Sequence, residues 1–90
     1  MIIRYSKQSI KYINKQDTTT KLRIKLGIEG LTKEPQEGDI KTMSGTLDGD
    51  MRLRIGNLRI IFTLTKEIVD NKEVTVLTIL KIKPRGDIYK

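Results

Sequence analysis

Ninety residues allow one domain (1–90) around a single core. Apolar content of 37% beside 32% charged residues describes a folded soluble chain, and a net charge of +7, from 18 Lys and Arg against 11 Asp and Glu, favours a polyanionic partner: RNA, DNA or an acidic protein. With neither cysteine nor histidine, the chain can form no disulfide, no His- or Cys-based zinc site, no Ser-His-Asp triad and no histidine-driven ribonuclease site.

The opening MIIRY suits a short strand, with Ile3 and Tyr5 on one side and Ile2 and Arg4 on the other. Ser6 is a fair N-cap for a helix through SKQSIKYINKQ, where Ile10 and Ile13 share a face. The next segment is open to two readings. Leu22, Ile24, Leu26 and Ile28 alternate as in a strand, whereas the length and the preceding Asp17 suit a helix over 18–31. As a helix it would be apolar on two sides: Ile24, Ile28 and Leu31 form one stripe, and Leu22 with Leu26 another. That pattern fits packing between a sheet and a neighbouring helix. Gly27 inside it costs roughly 1 kcal/mol relative to alanine.

TKEPQEGD is a connection, followed by a short strand near Ile40–Met43 and a turn through SGTLDGD. MRLRI and LRIIF then alternate strictly about Gly56-Asn57, the signature of a tight hairpin. Asp70-Asn71 marks another turn. The β-branched VTVLTILKIK, from Val74 to Lys83, predicts a central strand buried on both faces, and PRGDIYK closes the chain as an extended tail. The order predicts an α+β fold, with helices segregated to one face of a mostly antiparallel sheet. No apolar run approaches the ~20 residues of a membrane span, and MIIRYSKQ carries no secretory apolar region. The expectation is a mature, soluble, intracellular protein.

The hairpin holds the main functional signal. If Ile55 pairs with Leu58, Arg54 lies opposite Arg59, and like charges across a ladder destabilise it. Residues 51 to 66 contain no Asp or Glu to offset the repulsion. A basic solvent face would explain the pattern without any ligand. Guanidiniums on rigid strands can also grip phosphate oxygens bidentately. Lys81 and Lys83 extend the last strand, whose end can bring Arg85 and Tyr89 near Arg52, Arg54 and Arg59. Tyr89 is then either an aromatic packed on the sheet edge or a base-stacking or proton-transfer group.

GLTKEPQEGDIKTMSG, MRLRIGNLRIIF and ILKIKPRGDIYK together resemble the RelE/ParE superfamily of toxins from bacterial and archaeal toxin–antitoxin modules. The likeness spans nearly the whole chain, and its "P-x-x-GDIK", "RLRIG-x-x-RIIF" and "RGDIY" phrases are more specific than the N-terminal segment. It favours the helical reading of 18–31 and implies two N-terminal helices packed on one face of a four- to five-stranded sheet. It also implies a cognate antitoxin that wraps the toxin. RelE-type members cut mRNA in the ribosomal A site without metal or other cofactor, the ribose 2′-OH attacking the adjacent phosphate. Carried over, Arg54 and Arg59 are catalytic candidates that hold and neutralise the phosphate. Arg85 would assist the leaving 5′-oxygen, and Tyr89 would accept the 2′-OH proton. Arg52 sits where the family has Lys or Arg that stabilise phosphate charge. It is an RNA-binding candidate together with Lys81 and Lys83, which join it from their place on the last strand and not from the resemblance. A cationic surround favours the phenolate of such a tyrosine.

The Arg85–Tyr89 spacing is shorter than in some RelE enzymes, and no Glu–His base can exist here. The resemblance implies a cytoplasmic, ribosome-dependent endoribonuclease that inhibits translation. Two other readings stay open: a ParE-like toxin that binds and inhibits DNA gyrase, and a basic nucleic-acid-binding module without toxicity.

Overall fold

The computed structural model describes residues 1–42 and 50–84. In chain order these form β1 (Ile2–Tyr5), α1 (Lys7–Asn14), α2 (Thr18–Leu31), β2 (Asp39–Thr42), β3 (Met51–Ile55), β4 (Leu58–Val69) and β5 (Lys72–Pro84). The five strands make one sheet in the order β1-β5-β4-β3-β2. It is a mixed sheet. β1 runs parallel to β5, and the other pairings are antiparallel. Two short turns join β3 to β4 and β4 to β5. Gly56, at φ +52°, takes the first turn position of the β3–β4 hairpin, and Asp70 and Asn71, both at positive φ, make the β4–β5 turn.

Both helices begin on side-chain caps. Ser6 Oγ accepts from the Ser9 N–H at 3.1 Å, and Asp17 Oδ1 accepts from the Thr20 N–H at 2.7 Å. The caps hold the helical reading of 18–31 against its alternating pattern. Ile24, Ile28 and Leu31 enter a buried cluster with Leu53, Ile60, Phe62, Leu77, Ile79 and Ile82, and Tyr12 and Ile13 of α1 pack against it. Gly27 has a positive role beyond its propensity cost. A Cβ there would collide with the Ile55 side chain and press on Leu53, so the glycine lets α2 approach β3 closely.

Two expectations are corrected. The second stripe of α2 is not buried between a sheet and a helix among the described residues: Leu22 and Leu26 are 53% and 57% exposed. The side of α2 away from the buried cluster is left in water. β5 is an interior strand, and the successive Val76 and Leu77 are both buried, but Lys81 is exposed and Lys83 only half-buried. The face opposite the core is therefore covered over part of β5 only, leaving its C-terminal half available to solvent.

Candidate nucleic-acid interface

The registers assemble the basic residues into two rows across four strands. Asp39 of β2 pairs with Arg54 of β3, Arg54 with Arg59 of β4, and Arg59 with Lys83 of β5. One step along, Lys41 pairs with Arg52, Arg52 with Ile61, and Ile61 with Lys81. Residues directly across a ladder share a face, and alternation puts both rows on the same one. Leu53, Ile60 and Ile82, the intervening positions, point into the core. Arg52, Arg54, Arg59, Lys81 and Lys83 thus converge on one surface, with the Arg54–Arg59 juxtaposition that the hairpin spacing implied.

An irregularity in the β4–β5 pairing makes this convergence possible. Phe62 pairs with Ile79 but Ile61 with Lys81, so Leu80 is an extra residue on β5. Beyond it the alternation restarts with Ile82 inward and the two lysines outward. The free edge of this bulged stretch is held by the start of α1. Ser6 Oγ donates to the Leu80 carbonyl at 2.7 Å. The Gln8 side-chain amide donates to the Ile82 carbonyl at 3.0 Å and accepts from the Ile82 N–H at 3.1 Å. Gln8 therefore serves β5 as a further strand residue would, closing an exposed edge and fixing where Lys81 and Lys83 stand.

Arg52 is only 6% exposed, an unusual position for a charged side chain, while Arg54, Arg59 and Lys83 are half-buried. The hairpin holds no acid, but β2 supplies one. Asp39 Oδ1 lies 3.6 Å from Arg52 Nη2, and Asp39 Oδ2 lies 3.8 Å from Arg54 Nε. These are ion-pair separations outside hydrogen-bond range. Arg52 Nη2 and Arg54 Nε are buried, and neither has a hydrogen-bond partner among the described residues. Asp39 thus partly offsets a repulsion that the hairpin sequence leaves uncompensated. Donors of this kind, charged, fixed on strands and with bonding capacity to spare, suit the oxygens of a phosphate.

A second surface lies on the helical side. Tyr5, Ile10, Ile13, Ile24 and Ile28 line a groove of about 270 Å³ between α1 and α2, with Lys21 and Lys25 also at its wall. Ile10 and Tyr5 are 45% and 42% exposed. Arg4, Lys7, Lys11, Lys15, Lys21, Arg23 and Lys25 face a single acid, Asp17, within the first 28 residues.

Comparison with solved structures returns the same fold. The chain is similar to a chain of the RelB–RelE antitoxin–toxin complex from Methanococcus jannaschii, with a TM-score of 0.66 and 24% identity over 96% of this chain and 94% of that one. At that identity the likeness is one of architecture. No family model matches the sequence, and no curated protein matches it.

Arg85 and Tyr89 lie outside the described residues. Of the other predicted site residues, Arg52, Arg54, Arg59, Lys81 and Lys83 come together as described. Asp39 and Gln8 are additions. Asp39 escaped sequence reading because the pattern of residues 39–42 did not fix their register against the hairpin, so nothing in the sequence placed that carboxylate beside the arginines. Gln8 escaped because a glutamine in the first turn of a helix carries no signal that it will pair with a strand. No described helix is long and apolar enough to cross a membrane.

Proposed function

We propose that this protein is the toxin of a toxin–antitoxin module, a cytoplasmic, ribosome-dependent and metal-independent endoribonuclease that cuts mRNA. The observation that carries the reading is the convergence of Arg52, Arg54, Arg59, Lys81 and Lys83 on one sheet face, with buried guanidinium donors that no described group hydrogen-bonds at Arg52 and Arg54. The fold shared with a chain of an antitoxin–toxin complex supports it, as do the hairpin and tail phrases of the sequence.

In the proposed reaction the mRNA supplies its own nucleophile. The ribose 2′-OH attacks the adjacent phosphorus, the bond to the 5′-oxygen breaks, and a 2′,3′-cyclic phosphate results. Negative charge grows on the non-bridging oxygens, and fixed guanidiniums stabilise it without reorganising. Arg54 and Arg59, opposite each other, take this role, while Arg52, Lys81 and Lys83 hold the flanking backbone. Tyr89 accepts the 2′-OH proton, and Arg85 assists the leaving oxygen. The ribosome's part is to bend mRNA into the in-line geometry that a shallow sheet face cannot impose alone.

The partner is a cognate antitoxin. Its seat in this reading is the α1–α2 groove, whose apolar wall and acid-poor, lysine-bearing surroundings fit an acidic amphipathic segment better than they fit RNA, which offers little aliphatic surface to bury. Mapping mRNA 5′ ends after brief induction tests the function. Cuts inside translated codons are expected. DNA breaks with intact mRNA would replace this reading with gyrase inhibition, and normal growth without antitoxin would leave a basic binding module.

A further inference from the structure

Asp39 has no role in the proposed chemistry, yet it stands on the edge strand β2 against two arginines of the proposed site. It pairs directly with Arg54 and sits diagonally from Arg52, and each of its carboxylate oxygens faces a different guanidinium. We infer that Asp39 is a positioning residue, whose shared carboxylate holds the Arg52 and Arg54 guanidiniums in the orientation that receives a phosphate. The inference rests on the nuclease reading.

The separations distinguish this arrangement from a simple neutralising pair. A carboxylate that saturated one arginine would approach to about 2.7–2.9 Å, commonly with both oxygens on the same guanidinium. Asp39 instead lies 3.6 Å from Arg52 Nη2 and 3.8 Å from Arg54 Nε. Coulomb attraction falls off slowly over that interval, whereas hydrogen bonding does not survive it. Asp39 therefore orients both cations while leaving their donors to another acceptor. Arg52 Nη2 and Arg54 Nε remain buried without a hydrogen-bond partner among the described residues, on an arginine 6% exposed and its half-buried neighbour.

Without Asp39, the two guanidiniums stand two residues apart on one strand face, with Arg59 across the ladder from Arg54. Mutual repulsion then favours swinging the more exposed of the two, Arg54, toward solvent. Asp39 must also tolerate an incoming phosphate. Its side chain is 49% exposed, so water can screen the repulsion between the two anions.

The test is Asp39→Asn, which keeps size and removes charge. Three quantities are read: binding of a short single-stranded RNA carrying a 2′-deoxy sugar at the cut position, kcat for mRNA cleavage on programmed ribosomes, and the Arg54 Nε–Hε resonance in NMR spectra. The inert RNA should bind several-fold more tightly, because a competing negative charge is gone. Turnover should nevertheless fall about ten-fold or more, and the Arg54 resonance should move to the position of a freely rotating arginine. Asp39→Glu should recover part of the turnover.

Tighter binding with kcat unchanged or raised would overturn the inference, making Asp39 a mere competitor for the site. Loss of binding and turnover together, with displaced backbone amide signals in β2 and β3, would overturn it in favour of a structural role. If the unaltered protein cleaves nothing on ribosomes, the nuclease reading fails. The Arg54 resonance still reports whether Asp39 holds the guanidinium, so the two failures are separable.

Discussion

The arginine face of the sheet and the lysine-rich helical side carry the same sign of charge in opposite physical arrangements. On the sheet, arginines project from hydrogen-bonded strands, Arg52 is almost wholly buried, and Arg52 and Arg54 share one carboxylate. On the helices, Lys7, Lys11, Lys15, Lys21 and Lys25 are exposed, and two of them flank an apolar groove. A guanidinium fixed in place has lost most of its conformational freedom before any ligand arrives, so it can hold one geometry at little further entropic cost. An exposed lysine beside an aliphatic groove offers long-range attraction and a surface to bury, which suits a protein segment more than a reaction centre. Net charge alone, +7, does not separate the two. Placement does.

The strongest way to break this contrast is to remove the arginines that face each other. Replacing Arg54 and Arg59 together by alanine should abolish growth arrest, with mRNA cleavage on ribosomes lowered by about a hundred-fold or more, the loss typical of removing charge-stabilising donors. Thermal unfolding should show the fold retained, because the Arg54–Arg59 juxtaposition opposes the ladder it sits in. Undiminished toxicity of the double variant would end the nuclease reading.

Phe62 sits beneath both surfaces. It is fully buried between the strands that carry the arginines and the helices that carry the groove. Phe62→Ala should lower unfolding free energy by roughly 3–5 kcal/mol, measured by urea titration. RNA binding and antitoxin binding should weaken together, unlike the selective effects expected on either surface.

A smaller and more selective effect is expected on the helical side. Reversing Lys21 and Lys25 to glutamate should weaken antitoxin binding by about ten-fold or more, read by calorimetry, since like charge replaces attraction along the groove. On the proposed reading, growth arrest by this protein alone should persist while rescue by the cognate antitoxin is lost. Equal loss of both would mean that the two surfaces are not functionally distinct.

Much of this was legible in the sequence for definite reasons. The strict alternation of MRLRI and LRIIF about Gly56-Asn57 set the hairpin register, and with it the Arg54–Arg59 pair. Ser6 and Asp17 marked the two helix starts through their capping chemistry. The illegible parts depend on distant pairings. Parallel pairing of β1 with β5 joins residues more than 70 positions apart and makes the sheet mixed. The extra residue at Leu80, which turns Lys81 and Lys83 outward, leaves no mark in a β-branched run. The exposure of Leu22 and Leu26 could not be foreseen from periodicity, which counts apolar stripes but does not say which of them finds a partner.

The smallest predicted effect compares how the two regions respond to acid. The Thr20 backbone N–H, donating to Asp17, is the main cause of a pKa held below the ordinary aspartate value of 3.8; the Thr20 side chain and the Arg23 charge act in the same direction. Lowering of the folded-state pKa means that the folded protein favours the carboxylate more than the unfolded chain does. The cap therefore contributes fully above the unfolded value and loses its contribution as pH falls through the depressed folded value. Amide exchange at Thr19, Thr20 and Lys21, measured by NMR as pH is lowered, should quicken relative to the pH-dependence of an uncapped amide. Asp17→Ser retains an acceptor for the Thr20 N–H but has nothing to titrate there, so its helix start should respond less steeply. Amides within the β3–β4 ladder serve as the internal control, since their partners are backbone carbonyls that bind no proton in this range. If the helix start and the hairpin lost protection in parallel in both proteins, acid would be acting on the fold as a whole and the cap would have no separate part in it.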